Sequence, residues 1–188
     1  MSAVGRILRA DELQPVPWRN GQGITREIAA MPPGAGMDDF LWRVSLADVV
    51  GAAPFSRFPG VDRTIVLIDG AGFRMTLDGA QVHELTTPCA PFAFPGEAEV
   101  AVGLAGGPTR DFNLMLRRGR ATGEVEVWRD EAARRAPSDL LLLHLVHGHA
   151  RTPDGDLGPG DSWLPGADAP GTIQIDGEAL AVRVHLAG

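Results

Sequence analysis

One cadence recurs in the two halves of the chain, and it limits the fold more than any other feature. The first copy runs Ile65–Ile68, Gly70, Asp78-Gly79, then Phe94-Pro95-Gly96. The second runs Leu141–Val146, Gly148, Asp154-Gly155, then Leu164-Pro165-Gly166. Each reads as strand, glycine turn, Asp-Gly hairpin, strand and apolar-Pro-Gly turn. Asp-Gly supplies the positive backbone angles that a two-residue hairpin needs, and a repeat of this kind marks two copies of one antiparallel unit. The 24 Gly and 15 Pro are spread along all 188 residues, which predicts many tight turns and no disordered tail.

The stretch Trp42 to Arg63 shows what one wall of such a unit is made of. Trp42, Val44 and Leu46 alternate with Arg43, Ser45 and Ala47, so one face is apolar and the other carries a cation, a hydroxyl and a small residue. Turns at Gly51, Pro54, Pro59 and Gly60 hold Phe55 and Phe58 and lead to Asp62-Arg63. The stretch is expected to form the rim and wall of a small β-barrel. Asp111 to Leu116 alternates again, with Phe112, Leu114 and Leu116 on one side and Asp111, Asn113 and Met115 on the other. Thr25 and Glu27 alternate with Ile24, Arg26 and Ile28. Further turns are expected at Gly148 and Asp176-Gly177, and a helical turn or linker at Asp130 to Asp139. The division is drawn as a first lobe at 1–125 and a linker with a second lobe at 126–188.

Several function classes recede on composition. The net charge is -7 and all 17 basic residues are arginine, without a basic stripe, which argues against nucleic acid as partner. Cys89 is the one cysteine, so no disulfide framework or thiolate metal cluster forms within the chain. The N-terminus carries Asp11 and Glu12 and lacks the apolar run of a signal peptide. The longest apolar run, Leu140 to Val146, is too short for a membrane span. A reducing, cytoplasmic setting and no membrane partner are expected.

The chain resembles the HutD/Ves family of double-cupin proteins. The resemblance rests on Trp18-x-Asn20-Gly21-x-Gly23-x-Thr25-x-Glu27-Ile28, on Trp42-Arg43-Val44-Ser45-x-Ala47-x-Val49, and on Phe55-Ser56-x-Phe58-Pro59-Gly60-x-Asp62-Arg63. Phe92-x-Phe94-Pro95-Gly96 and Asp111-Phe112-Asn113-Leu114-Met115 complete it. It covers roughly residues 15 to 118; the second lobe matches only in cadence. It implies an all-β bicupin of two small antiparallel barrels or sandwiches (an RmlC-like jelly roll) with little helix, and a pocket in the first lobe. It also implies a role alongside histidine utilisation, through an intermediate such as formylglutamate, without a firmly assigned reaction.

A cupin metal centre wants a His-x-His pair, an acid and a later His converging from several strands. Only His83-Glu84 stands in the first lobe, while His147-Gly148-His149 falls on the glycine turn of the second without an acidic partner at matching spacing. No metal or other cofactor is expected. Neither Ser45 nor Ser56 has a histidine near it in sequence, so no nucleophile–base pair is expected, and no catalytic residue is assigned. What remains is a polar set on strand faces: Arg43, Ser45, Asp111, Asn113, Thr25 and Glu27, with Asn20, Ser56 and Arg63 in or beside the turns and Trp18 and Phe55 as walls, alongside Trp42 and Phe58. Arginine offers a planar fork for a carboxylate, aromatic rings supply contact area, and Asn113 both donates to and accepts from an amide. The reading is a metal-free protein that binds a small carboxylate metabolite in a regulatory role. The alternatives are a metal-independent isomerase or lyase using Glu27 or Asp111 as acid–base group, and a protein-interaction module. Exposed sheet edges also allow a homodimer.

Overall fold

The computed structural model describes residues 5–166 and 171–188. In chain order the strands of the first half are β1 (Arg6–Leu8), β2 (Pro15–Pro17), β3 (Gly23–Met31), β4 (Trp42–Val49) and β5 (Val61–Gly70). There follow β6 (Phe73–Leu77), β7 (Gln81–Leu85), β8 (Phe92–Pro95), β9 (Val100–Leu104) and β10 (Thr109–Arg117). The remainder is β11 (Ala121–Arg129), β12 (Arg134–Arg135), β13 (Leu140–Thr152), β14 (Gly155–Leu157), β15 (Ser162–Leu164) and β16 (Thr172–Leu186). Among the described residues the helical content is one three-residue turn, Ala10–Glu12. No helix there is long and apolar enough to cross a membrane.

The chain divides into two compact units, one of residues 14–122 and 186–188, the other of 1–13 and 123–185. The line drawn at 125/126 from the sequence cuts through β11, and residues 1–13 group with the C-terminal unit. The reason is long-range pairing that no local pattern announces: β1 pairs with β15, and Arg9 Nη1 lies 2.7 Å from Asp161 Oδ2.

The unit of residues 14–122 carries a six-stranded sheet, ordered β2-β3-β4-β10-β5-β8, and a three-stranded sheet, β7-β6-β9. The pairings are antiparallel. The two sheets face each other across a core in which Ile65, Leu67 and Phe94 of the larger meet Phe73, Met75, Leu85, Val100 and Val102 of the smaller. They stay separate sheets, so the expected barrel is an open sandwich. Asp78 and Gly79 turn β6 into β7 with φ of 50° and 68°, as the hairpin signal requires.

The other unit is one seven-stranded sheet along β1-β15-β13-β16-β11, with β12 and β14 at its margins. Trp128, Trp163, Leu143, Leu145, Ile173 and Ile175 form its core, and fully burying side chains of this size is worth about 1.5–3 kcal/mol each. One expectation fails here. Gly148 and Asp176-Gly177 are not turns; they lie opposite each other inside the long strands β13 and β16. At Gly148, with φ of 88°, a Cβ would stand 2.0 Å from the Asp176 carbonyl oxygen. The glycines therefore serve a close approach of two backbones. The Asp130–Asp139 stretch holds the short strand β12 and no helical turn.

Candidate functional site

Strand register in the six-stranded sheet builds the site. Directly paired residues on antiparallel strands share a face, and three rows cross the sheet on the same face. One row is Thr25, Ala47, Asp111 and Leu67. The next is Glu27, Ser45, Asn113, Ile65 and Phe92, and the third is Ala30, Arg43, Met115, Arg63 and Phe94. Alternation in β3, β4, β10 and β5 thus delivers two arginines, two acids, an amide and two hydroxyls onto one surface. Trp42 lies on the opposite face with Val44 and Leu46 and is not a wall of this site.

Arg63 is the more enclosed of the two arginines, 8% exposed. Its guanidinium carbon lies 5.3 Å, 5.5 Å and 4.8 Å from the ring centres of Phe55, Phe58 and Phe94, within cation–π range. Arg63 Nη2 donates to Asn113 Oδ1 at 3.2 Å, and Asn113 Nδ2 in turn donates to Asp111 Oδ1. The relay leaves one spare atom at each end: Arg63 Nε and Asp111 Oδ2 are buried and have no hydrogen-bond partner among the described residues. Burial pulls the Arg63 guanidinium down to about 10; the Asp111 charge opposes this and the Arg43 charge adds to it. Arg63 is a cation at neutral pH regardless. Burial pushes the Asp111 carboxyl up to about 7, against the Asn113 hydrogen bond and the Arg63 charge.

Arg43 is more open. Its Nε donates to Glu27 Oε2 at 2.8 Å and its Nη1 to Ser45 Oγ at 3.2 Å. Glu27 is the exposed partner, with 39% of its side chain accessible against 12% for Arg43. Beside this pair Trp18 Nε1 donates to Thr25 Oγ1 at 2.8 Å, and Trp18 packs on the core of the sandwich.

Of the residues singled out in the sequence, Thr25, Glu27, Arg43, Ser45, Arg63, Asp111 and Asn113 share the face, with Trp18 and Phe55 joined to it. Two do not join the hydrogen-bonded cluster. Asn20 is exposed and its Oδ1 accepts from the Gln22 backbone N–H at 3.0 Å, a turn contact. Ser56 is exposed on the loop between Phe55 and Phe58. The face also contains residues that the sequence reading passed over as site members. Phe94 covers Arg63, Phe92 stacks on Phe94 at 5.8 Å, and His83 of β7 lies flat on Phe92 with ring centres 3.6 Å apart. Burial lowers the His83 pKa, opposed by the Glu84 charge. The usable signal was the Phe92-x-Phe94 alternation.

Among the described residues no group of three or more His, Cys, Asp and Glu is gathered to hold a metal ion. A serine–histidine contact lies in the other unit. There His144 Nδ1 is 2.9 Å from Ser162 Oγ, and both side chains are fully buried within the protein, which suits a structural bond.

Comparison with known proteins agrees with this fold. An uncharacterised 21.2 kDa protein in the hutC 3′ region of Pseudomonas putida is 40% identical over 145 residues, 77% of this chain and 75% of that one. Protein Ves of Cronobacter sakazakii is 34% identical over 166 residues, 87% of this chain and 89% of its own. The solved structure of HutD from Pseudomonas fluorescens SBW25 superposes with a TM-score of 0.86 at 31% identity, covering 98% of this chain and 100% of that one. YhhW of Escherichia coli, at 8% identity and a TM-score of 0.65 over 98% of each chain, shares the fold alone. The HutD family model matches residues 10–182, nearly the whole chain, and the chain belongs to the HutD family.

Proposed function

We propose that this chain binds a small carboxylate metabolite on the face built by β3, β4, β10 and β5, and that binding serves a regulatory role in histidine utilisation in the cytoplasm. The observation that carries the reading is the charge of that face. Arg43 and Arg63 share that face with Glu27 and with Asp111, whose carboxyl burial pushes up to about 7. The excess is cationic in a partly enclosed, aromatic-walled surface, which favours an anion. Arg43 is the group a carboxylate meets, since its fork is bound on one side by an exposed Glu27 that an incoming anion can replace. The hutC-region name of the Pseudomonas putida relative supports an acid of the histidine pathway. N-formyl-L-glutamate combines carboxylates with a formamide, which suits the arginine fork and the amide of Asn113.

The test is thermal shift of the protein against N-formyl-L-glutamate, urocanate and glutamate. A ligand at a hundredfold its Kd stabilises the native state by about 2.7 kcal/mol, or about 5–10 °C for a chain of this size. Arg43→Ala removes a charge-assisted bond and lowers affinity by roughly 10–100-fold, so the shift falls to between about a half and a sixth of the wild-type value. Equal shifts in both proteins place the ligand elsewhere, and no shift with any acid removes the reading.

A further inference from the structure

We propose that Asp111 sets the specificity of this face: its free oxygen, Oδ2, accepts a hydrogen bond from an N–H or O–H of the bound acid, while Arg63 Nε donates to an acceptor atom of the same molecule. The inference rests on the carboxylate-binding reading and adds a substrate class to it. The class is carboxylic acids with an acylated amine or a hydroxyl, in preference to analogues that present only acceptors.

The two atoms that carry the inference are the buried side-chain polar atoms without a partner among the described residues, Arg63 Nε and Asp111 Oδ2. They stand at the ends of one relay. Native interiors pair their polar atoms with few exceptions, and an exception at a binding surface marks a place for a bound group. The neighbouring polar groups are already engaged. Asn113 spends its oxygen on Arg63 and its NH2 on Asp111 Oδ1, and that pair of contacts fixes which way its amide points. Ser45 Oγ accepts from Arg43, and Thr25 Oγ1 from Trp18. The facing sheet contributes apolar Phe73, Met75, Val100 and Val102 to the core beneath. The spare carboxylate oxygen accepts and the spare guanidinium N–H donates, so the complementary ligand carries one donor and one acceptor. A secondary amide next to a carboxylate is such a group.

The test compares two probes that differ at one atom: N-formyl-L-glutamate and the formate ester of L-2-hydroxyglutarate, in which an ester oxygen replaces the N–H. Both are titrated calorimetrically into the wild-type protein and into Asp111→Asn at about pH 8.5, above the value near 7 to which burial pushes the Asp111 carboxyl, so that its spare oxygen is ionised and accepts. The wild type is expected to favour the amide by about 10-fold or more, because a buried acceptor built for a donor rejects the analogue that lacks it. In Asp111→Asn the side-chain oxygen keeps the bond from Asn113 and an NH2 takes the place of Oδ2. A donor then stands where an acceptor stood, and the preference reverses toward the ester. Equal affinity of the wild type for both probes overturns the inference while the carboxylate reading stands; the spare atoms then belong to water. An unchanged preference in Asp111→Asn overturns the role of Asp111. If neither probe binds the wild type, the carboxylate reading fails and takes this inference with it.

Discussion

Arg63→Ala is expected to destabilise the protein by about 3–5 kcal/mol, the range for breaking a buried, hydrogen-bonded charge network. Three losses add up at one position. The guanidinium leaves the space between Phe55, Phe58 and Phe94, and cation–π contacts with desolvated rings are worth up to about 2 kcal/mol. Asn113 Oδ1 loses its donor, and an orphaned buried acceptor costs about 1–3 kcal/mol. The Asp111 carboxyl loses the nearby cation that favours its charged form. Arg63→Met separates these effects: it keeps most of the apolar stem in the cage and is expected to cost about half as much. Urea unfolding followed by circular dichroism measures both. A loss under about 1 kcal/mol for Arg63→Ala would mean that the ring cage does not depend on the guanidinium.

The second large effect is a pH dependence carried by Asp111. Its carboxyl, ordinarily near 4 in an unfolded chain, is pushed up to about 7 by burial in the fold. Between those two values the folded state holds a proton that the unfolded state has released, so stability falls as pH rises across that window. The stabilising contribution is fully present below about pH 4 and gone above about pH 7. Three pH units correspond to about 4 kcal/mol at 1.36 kcal/mol per unit. Asp111→Asn removes the titrating group and keeps the bond from Asn113. It is expected to flatten the stability profile between pH 4 and 7, and to be more stable than the wild type at pH 8 by roughly 2–4 kcal/mol. Unfolding free energies at pH 5, 6.5 and 8 for both proteins decide it. Parallel profiles would show that the carboxyl titrates at its ordinary value and that its surroundings are wetter than the structure indicates.

Much of the site was legible because a strand repeats every two residues. Arg43 with Ser45, and Asp111 with Asn113, were assigned to common faces from alternation alone, and pairing between β4 and β10 brings Ser45 opposite Asn113. What alternation does not carry is which strands become neighbours. It could not say that Arg43 would pair with Glu27 while Arg63 reached Asn113, because those choices follow from the order β3-β4-β10-β5. The same limit hid the pairing of β1 with β15 and the place of Phe94 over Arg63. The errors at Gly148 and Gly177 have a different origin. Glycine marks a tight turn and a close backbone approach equally well, and only the partner strand tells them apart. Asn20 was drawn into the site by the motif around it, although an Asn before Gly suffices to make the turn it forms.

The central claim is that a small acid sits on the face shared by Arg43, Arg63, Asn113 and Asp111. The most direct measurement is a crystal structure of the protein grown with saturating N-formyl-L-glutamate. The account predicts the acid on that face, with a carboxylate oxygen within hydrogen-bond distance of the Arg43 guanidinium and the Glu27 side chain moved away from it. An acid bound elsewhere, or an Arg43–Glu27 pair unchanged at saturation with the face empty, would contradict it.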